Sequence, residues 1–321
     1  MAAFGKRTSG AEVVEAFADQ VKGRTFAITG PSTGGLGAQT ALFLAAQQPA
    51  EILLLGRSEA KVTPVVEEIK KASPSTSVRF IALDLSDFSS IRSAAAQIAA
   101  STPKIDVLIN NAGIMAIKDY TLTKDGIEAQ FGANHVGHFL LTNLLVPQLI
   151  AAGKGARVVN LSSDGHTIGE FRGDDYNFND GQDYDGWLAY GQSKTSNVLF
   201  AKALASRLAP KGILAFSLHP GVIWTNLATH VDESEWPRVT KMMEKRGIPV
   251  PDFTSPDTFK DLAQGTSTTL VAALDPALES QSGAYLMDCA PAKPLDYAAD
   301  PVAAEKLWAL SEKLVGETFK Y

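Results

Sequence analysis

A tyrosine and a lysine, Tyr190 and Lys194, are separated by three residues in the stretch Tyr-Gly-Gln-Ser-Lys. If this stretch is helical, the phenol and the ammonium lie one turn apart on the same face. A nearby ammonium stabilises the phenolate and lowers the pKa of a phenol from its ordinary value of about 10. A serine hydroxyl such as that of Ser163 would hold the oxygen of a carbonyl or an alcohol for proton transfer. These groups suit hydride transfer between a carbon atom and a nicotinamide. The pattern is weak by itself, because about 0.4 Tyr-x-x-x-Lys pairs are expected by chance in a chain of this length and composition.

A glycine-rich turn lies near the start of the chain and reads Gly-Pro-Ser-Thr-Gly-Gly-Leu-Gly over residues 30–37. A short apolar strand is predicted before it, at 25–29, and an Ala/Leu-rich helix after it, at 38–47. Such a turn lets backbone N–H groups approach a pyrophosphate at a helix N-terminus. A glycine cluster by itself is often only a tight turn, so it is the flanking strand and helix that favour nucleotide binding here.

The second predicted strand, residues 51–57, ends in Gly56-Arg57 and is followed by Ser58. In folds that bind NAD, an acidic residue near the end of this strand usually receives the ribose hydroxyls. A guanidinium and a hydroxyl suit a 2′-phosphate instead. We therefore expect NADP(H) in preference to NAD(H); the alternative is an arginine that is merely exposed after a strand.

Strands and helices alternate along the rest of the chain, which predicts a parallel sheet with right-handed crossovers. We expect a single α/β domain over residues 23–321, a Rossmann-type doubly wound sheet of seven mainly parallel strands with helices on both faces. A helical extension precedes it at 1–22, and a lid of short helices covers the pocket at about 226–260. Further strands are predicted at 78–83, 105–109, 156–161, 213–218 and 283–287, and further helices at 11–21, 61–71, 88–100, 127–149, 188–208, 262–274 and 301–314.

The bulk properties exclude several classes of protein. The 321 residues carry a formal net charge of −6 with no Lys/Arg-rich block, so nucleic acid and anionic membrane are not expected partners. One cysteine, Cys289, permits no intrachain disulfide, and we expect a buried structural thiol in a cytoplasmic protein. No apolar run is long enough to span a membrane, and we expect no metal site. The long helices predicted at 127–149 and 188–208 could pair with a second copy in a homodimer, unless the sheet uses their apolar faces fully.

Taken in order along the chain, six short motifs resemble the short-chain dehydrogenase/reductase family over about residues 23–316. The likeness is strongest to the branch that contains the retinol dehydrogenases and the catalytic domain of WW-domain oxidoreductase. The matching stretches are 110–113 (Asn-Asn-Ala-Gly), 134–139 (Asn-His-Val-Gly-His-Phe), 159–163 (Val-Asn-Leu-Ser-Ser), Tyr190 with Lys194, 219–221 (His-Pro-Gly) and 285–289 (Tyr-Leu-Met-Asp-Cys).

The resemblance implies a role for each matching residue. Tyr190 corresponds to the catalytic acid or base, Lys194 to its partner, Ser163 to the residue that binds the reacting oxygen and Asn134 to the holder of a proton-relay water. Asp84 corresponds to the residue at the adenine ring and Thr225 to a contact of the nicotinamide carboxamide. The predicted cofactor contacts are Gly30, Ser32, Gly34, Gly35, Leu36, Gly37, Arg57, Asp84, Leu85, Asn111, Ala112, Gly113, Tyr190, Lys194, Pro220, Gly221, Val222 and Thr225.

Two departures from the family pattern bear on the site. The glycine turn is one residue longer than usual, which leaves open whether Gly34 or Gly35 meets the phosphate. Ser163 and Tyr190 are also farther apart than in compact members, and we expect the additional loop at 171–187 to lie at the pocket mouth. Aromatic residues near the expected pocket indicate an apolar or aromatic carbonyl substrate, unless they only pack the lid: Phe171, Tyr176, Phe178, Trp187 and Trp224.

The function expected from these observations is NADP(H)-dependent interconversion of a hydrophobic carbonyl compound and its alcohol. One alternative is a dinucleotide-binding scaffold or redox sensor without turnover. The presence of Ser163, Tyr190, Lys194 and Asn134 together argues against it, because a sensor needs only the nucleotide site. A second alternative is an epimerase or cyclase that uses the cofactor without net redox change.

Overall fold

A computed structural model describes residues 4–228 and 231–321, and its centre is one twisted sheet. The eight strands lie in the order β3-β2-β1-β4-β5-β6-β7-β8. Neighbouring strands from β3 to β7 are parallel, and only β8 runs antiparallel to its neighbour. The strands are β1 (Thr25–Thr29), β2 (Glu51–Gly56), β3 (Ser77–Ala82), β4 (Val107–Asn110), β5 (Arg157–Leu161), β6 (Leu214–His219), β7 (Tyr285–Met287) and β8 (Ala290–Ala292).

The predicted doubly wound sheet is confirmed, with one addition. The strand order reverses between β1 and β4, which opens a crevice at the carboxyl ends of these strands, where folds of this class bind ligands. The eighth strand was not predicted, because Ala290–Ala292 is short and carries Pro291. A proline cannot donate a ladder hydrogen bond, so it is tolerated at the edge of a sheet, which is where β8 lies.

Helices cover both faces of the sheet, as expected. One core, which includes Phe131, Phe139 and Phe200, lies on one face, and a second, which includes Phe26 and Leu44, lies on the other. The helices are α1 (Gly10–Ala16), α2 (Leu36–Ala45), α3 (Glu59–Ala72), α4 (Phe88–Ser101), α5 (Ala129–Phe131), α6 (Gly137–Leu144), α7 (Val146–Ala152), α8 (Gly186–Leu208), α9 (Trp236–Lys245), α10 (Leu262–Gly265), α11 (Ser267–Leu274), α12 (Asp296–Ala299) and α13 (Pro301–Val315).

The prediction of one continuous α-helix at 127–149 was wrong, because the helix that begins at Ala129 contains a π-helical segment and is broken before Val146. A π-helical segment, Gly132–Val136, separates α5 from α6. The axis then bends by 54° between α6 and α7, where Pro147 occupies the first turn of α7. Among the described residues no single helix is long and apolar enough to cross a membrane, and this bent pair passes that test only by length and composition.

The N-terminal extension packs into the main core. Ser9 and Glu12 form a capping box at the start of α1. The helix ends at Ala16 rather than near Val21, and a 3-10 turn follows it. Val13 and Val14 are buried in the core on the α2 side of the sheet, so the extension is held by hydrophobic contact with the rest of the fold.

The C-terminal helix α13 covers the two helices that we considered for a homodimer. The ring of Trp308 lies 4.9 Å from that of Phe139 on α6 and 6.1 Å from that of Phe200 on α8. The guanidinium of Arg207 lies over the indole, 4.1 Å from its centroid. These apolar side chains are therefore already buried within the chain.

We expect Trp308→Ala to lower the free energy of unfolding by about 3–5 kcal/mol, since it removes a buried indole and leaves a cavity. Urea denaturation measures the change. Val302→Ala in the same helix is the matched control, because Val302 is 60% exposed and its truncation should cost no more than about 0.5 kcal/mol. Equal effects of the two substitutions would contradict the packing described here.

Candidate active site

A cavity of about 1570 Å³ opens at the carboxyl ends of the strands. It runs from Arg57 at one end, past the glycine turn, to Tyr190 and the lid at the other. Most of the predicted site residues line it: Gly30, Ser32, Gly35, Leu36, Arg57, Asn111, Ala112, Gly113, Ser163, Tyr190, Lys194, Pro220, Gly221, Val222 and Thr225. Five predicted residues do not lie on its wall: Gly34, Gly37, Asp84, Leu85 and Asn134.

The glycine turn accommodates its additional residue at Gly34. The backbone there adopts φ +77°, the left-handed region that favours glycine. The N–H of Gly35 closes a tight turn onto the carbonyl of Ser32 at 3.0 Å, and Gly35 then serves as the N-cap of α2. No side chain caps this helix, so the N–H groups of its first turn are available to an anion. The sequence left open whether Gly34 or Gly35 meets the phosphate, and of these two glycines Gly35 lines the cavity.

Asn111 and Thr29 tie the glycine turn to the end of β4. The side-chain amide of Asn111 donates to the carbonyls of Thr29 (2.8 Å) and Gly30 (3.2 Å). The Thr29 hydroxyl accepts from the N–H groups of Asn111 and Ala112. Gly37 lies directly behind this network, since a Cβ there would come within 2.6 Å of the Asn111 amide nitrogen. Asn111 therefore fixes the turn by hydrogen bonds, and Gly37 leaves room for its side-chain amide. The side of the turn away from this network faces the cavity.

Asn134 lies in the π-helical segment and is fully buried. Its side-chain oxygen accepts from the N–H of Ile114 at 2.8 Å, and its amide donates to the Ile114 carbonyl and to the Ser193 hydroxyl, both at 2.9 Å. The amide thus joins the segment after β4 to α8. Its proposed part in a water relay stays a prediction.

His138, one turn after Asn134, connects Asn134 to Thr29 and so to the glycine turn by hydrogen bonds. Its Nδ1 lies 2.9 Å from the Asn134 carbonyl oxygen, which can only accept, so Nδ1 carries the proton. Its Nε2 then accepts from the Thr29 hydroxyl at 2.9 Å. Burial lowers the pKa of His138 to about 4, and the ring is neutral at physiological pH.

This histidine should make stability depend on pH. Because the folded state holds His138 neutral, its contribution is complete above pH 6.5 and is lost as the pH falls towards 4, by about 3 kcal/mol. We expect the free energy of unfolding to fall less steeply over this range in His138→Gln than in the unmodified protein. Urea titrations at a series of pH values measure both slopes. Identical slopes would show that His138 does not supply this pH dependence.

Tyr190 and Lys194 are brought together on α8, as predicted. Asp185 caps the start of this helix by accepting from the N–H groups of Trp187 and Leu188. Tyr190 lies beside Ser163, which follows β5, since a Cβ on Gly165 would come within 2.6 Å of the Tyr190 ring and 3.4 Å of the Ser163 hydroxyl oxygen. The Lys194 ammonium lies 5.5 Å from the centroid of the Tyr190 ring, and it donates to the Leu161 carbonyl at 3.1 Å. The three side chains converge on one part of the cavity.

The pKa of Tyr190 differs from our expectation. Burial raises it to about 12, the nearby Ser163 hydroxyl acts in the lowering direction, and the carboxylate of Asp164 raises it further. Burial also lowers the pKa of Lys194 to about 8. The expected lowering of the Tyr190 pKa by Lys194 is not seen, since the ammonium points to the Leu161 carbonyl. In this arrangement Tyr190 is a proton donor at neutral pH.

Aromatic residues form the other end of the cavity, but most are not those we expected. Only Trp187 and Trp224 of the predicted set lie on its wall. Phe171 and Tyr176 pack against Phe131, at 6.4 and 5.8 Å between ring centroids. Most of the loop at 171–187 therefore packs away from the pocket mouth. The lid supplies additional lining that the sequence did not indicate, because the lid region has no regular period: Trp236, Val239, Met243, Phe253 and Phe259.

The lid predicted over 226–260 combines short 3-10 turns with α9. Thr229 and His230 of this range lie outside the described residues. Trp224 stacks on Phe259, with centroids 5.6 Å apart and planes at 17°, and Trp236 lies 5.7 Å from Trp187. These contacts connect the lid to the start of α8, so its aromatic face borders Tyr190.

The Arg57 end of the cavity holds a second cation that sequence reasoning missed. Lys61 lines the wall together with Arg57, Ser32 and Thr33, and its carbonyl accepts from both the N–H and the hydroxyl of Thr33. In the sequence, Lys61 looks like an ordinary exposed lysine in the first turns of α3. Its place on the cavity wall becomes evident only from the fold. Asp84, which we predicted at the adenine ring, does not line the cavity, and its carboxylate accepts from the N–H and the hydroxyl of Ser86.

Comparisons with known proteins show the family of this chain. Residues 24–177 match the family model of the short chain dehydrogenases. Short-chain dehydrogenase TIC 32 A, chloroplastic, from Brassica napus is 35% identical over 97% of this chain and 94% of its own length. Retinol dehydrogenase 12 from Mus musculus is 38% identical over 92% of this chain and 88% of its own.

Solved structures share the fold. An uncharacterized protein from Mycobacterium paratuberculosis is 35% identical, with a TM-score of 0.70 over 94% of this chain and 96% of that chain. A short chain dehydrogenase from Escherichia coli CFT073, complexed with NADPH, is 21% identical, with a TM-score of 0.62 over 85% of this chain and 98% of that chain. The first likeness extends to sequence, and the second is one of fold alone.

Proposed function

Since the chain belongs to the short-chain dehydrogenase family, oxidoreductases that act on CH–OH groups with NAD(P), we propose that it interconverts a hydrophobic carbonyl compound and its alcohol with NADP(H). The observation that carries the proposal is the convergence of three groups on one cavity. The hydroxyls of Ser163 and Tyr190 and the ammonium of Lys194 meet there, and the same cavity continues to the glycine turn.

The residues present fit a dinucleotide. The uncapped N-terminus of α2 offers N–H groups to a pyrophosphate. Gly113 lies between this turn and the reacting end: a Cβ on it would come within 3.5 Å of the Lys194 ammonium nitrogen. Pro220, Gly221 and Thr225 border the same part of the cavity. When bound, the cofactor supplies or accepts the hydride.

The side chains of this protein supply the proton and the orientation. Ser163 would hold the carbonyl oxygen by a hydrogen bond. In reduction, Tyr190 gives its hydroxyl proton to that oxygen as the carbon receives the hydride, and the phenolate that remains is stabilised by the Ser163 hydroxyl. A Tyr190 pKa of about 12 keeps the proton in place beforehand. Alcohol oxidation runs through the same positions in reverse and improves as the pH rises.

Arg57 and Lys61 support the choice of NADP(H). Both line the far end of the cavity, and Arg57 follows β2, where an acidic residue would stand in an NAD site. Two cations there favour a ligand that carries an additional phosphate. The aromatic lid supports an apolar substrate, since Trp187, Trp224 and Trp236 offer ring faces beside Tyr190.

The test is oxidation of NADPH with a panel of aliphatic, aryl and polyene ketones and aldehydes. We expect loss of NADPH absorbance, together with formation of the alcohol, for at least some hydrophobic members and less with NADH. Binding of NADPH without turnover of any member would favour a scaffold or sensor. Turnover of substrate without net change in NADPH would favour an epimerase or cyclase.

A further inference from the structure

The cavity wall beside Ser163 carries a carboxylate that the proposed reaction does not use. Asp164 follows Ser163 directly and begins a 3-10 turn, Asp164–Thr167. Its side chain is 40% exposed and lines the cavity. The next residue, Gly165, touches the catalytic ring, since a Cβ there would come within 2.6 Å of Cε1 of Tyr190. Asp164 therefore stands beside the position of the reacting oxygen.

His219 holds this carboxylate in place. The N–H of Asp164 donates to Nδ1 of His219 at 3.2 Å, so Nδ1 carries a lone pair and the ring proton is on Nε2. That Nε2 lies 3.2 Å from Oδ2 of Asp164. The imidazole thus orients Asp164 through contacts with both its backbone N–H and its carboxylate. Lys260, a buried cation whose charge acts on Asp164, is paired with another carboxylate, since its ammonium lies 2.7 Å from Oδ1 of Asp288.

Asp164 should be ionised in this setting. Burial acts to raise its pKa, but the rings of His219 and His166 and the charge of Lys260 act in the other direction, and the pKa lies below its ordinary value. Among the described residues on the cavity wall, Asp164 is the only acid. The cations Arg57 and Lys61 lie at the opposite end, beside Ser32 and Thr33. Among the described residues, the substrate end therefore combines apolar rings and the Lys194 ammonium with a single carboxylate, that of Asp164.

We propose that Asp164 determines substrate specificity: it selects carbonyl compounds that carry a hydroxyl or amino group next to the reacting carbon, and it rejects those that carry a carboxylate there. An ionised carboxylate accepts hydrogen bonds from such donors and repels an anion held at the same place. This inference rests on the proposed function, because it takes the oxygen bound by Ser163 and Tyr190 as the reacting atom.

The test compares phenylglyoxylate with its methyl ester, which differ in charge beside the same ketone, and 2-hydroxyacetophenone with acetophenone, which differ in a donor. Dissociation constants come from quenching of tryptophan fluorescence with NADP⁺ present, because Trp187, Trp224 and Trp236 line the cavity. Relative kcat/KM values come from NADPH oxidation. Ratios within one enzyme cancel any general change in folding or in the acidity of Tyr190.

We expect the unmodified protein to prefer the ester over the acid, and the hydroxyketone over acetophenone, each by about tenfold or more. Asp164→Asn should reduce both preferences at least about fivefold. Asp174→Asn removes the same charge from an exposed position outside the cavity, and it should leave both ratios unchanged.

The outcomes separate this inference from the proposed function. Ratios that stay within about twofold in Asp164→Asn, or failure of all four compounds to bind, overturn the role of Asp164. Binding ratios that depend on Asp164 without turnover of any ketone would support the role of Asp164 and count against the proposed reaction. Turnover with ratios that do not depend on Asp164 would support the proposed reaction and count against the role of Asp164.

Discussion

Tyr190→Phe is expected to lower kcat for carbonyl reduction by about 10²–10⁴-fold, the range typical of losing a positioned general acid. The ring keeps its packing beside Trp187 and Ile168, so the fold and the cofactor site should persist. The proton donor alone is removed. Steady-state kinetics measure the loss, and fluorescence titration should give an NADPH dissociation constant within about twofold to threefold of the unmodified value, since the nucleotide contacts are retained.

Tyr176→Phe is the matched control for this substitution. Tyr176 packs against Phe131, away from the cavity wall, so it loses a hydroxyl that the reaction does not use. We expect turnover close to that of the unmodified protein. Full activity of Tyr190→Phe would remove the phenol from the mechanism, and equal losses in both variants would point to a general effect on folding.

Arg57→Leu is expected to lower kcat/KM for NADPH by about tenfold to a hundredfold, as loss of a charge-assisted contact to a phosphate would do. The value for NADH should change little, because NADH carries no 2′-phosphate. The ratio of the two values, measured with one substrate, is therefore the informative quantity.

Arg92→Leu is the matched control, because it makes the same change in charge and size at a position away from the cavity. Arg92 binds Glu317 and the Val315 carbonyl, away from the cavity. The cofactor ratio should be unaffected in this variant. A similar loss of kcat/KM with NADPH and with NADH in Arg57→Leu would show that Arg57 does not bind the 2′-phosphate. Another residue would then have to account for any preference for NADP(H).

The sheet and the convergence of the catalytic residues could be predicted from the sequence because local patterns determine them. Apolar runs such as 52–55 and 107–109 form buried strands, and parallel strands bring their carboxyl ends to one edge. Ser163 follows one such strand, and Tyr190 and Lys194 lie one turn apart on a single helix. No long-range detail was needed to place them together.

Other features depend on contacts between distant parts of the chain. The helical period continues through Gly132–Val136, so nothing in it marks the π turn that positions Asn134. Asp164 meets its partner His219, 55 residues later, only through the pairing of β5 with β6. The pKa of Tyr190 rises because the phenol is buried and the carboxylate of Asp164 lies nearby, and no local pattern in the sequence indicates either effect.

The most direct measurement of the central claim follows a labelled hydrogen. NADPH carrying deuterium at either the pro-R or the pro-S position of the nicotinamide C4 is incubated with the protein and a ketone that it turns over. Mass spectrometry and NMR then locate the label in the alcohol. We predict that one of the two cofactors delivers deuterium to the former carbonyl carbon, and that the other does not. An alcohol without deuterium from either cofactor would contradict direct hydride transfer beside Tyr190.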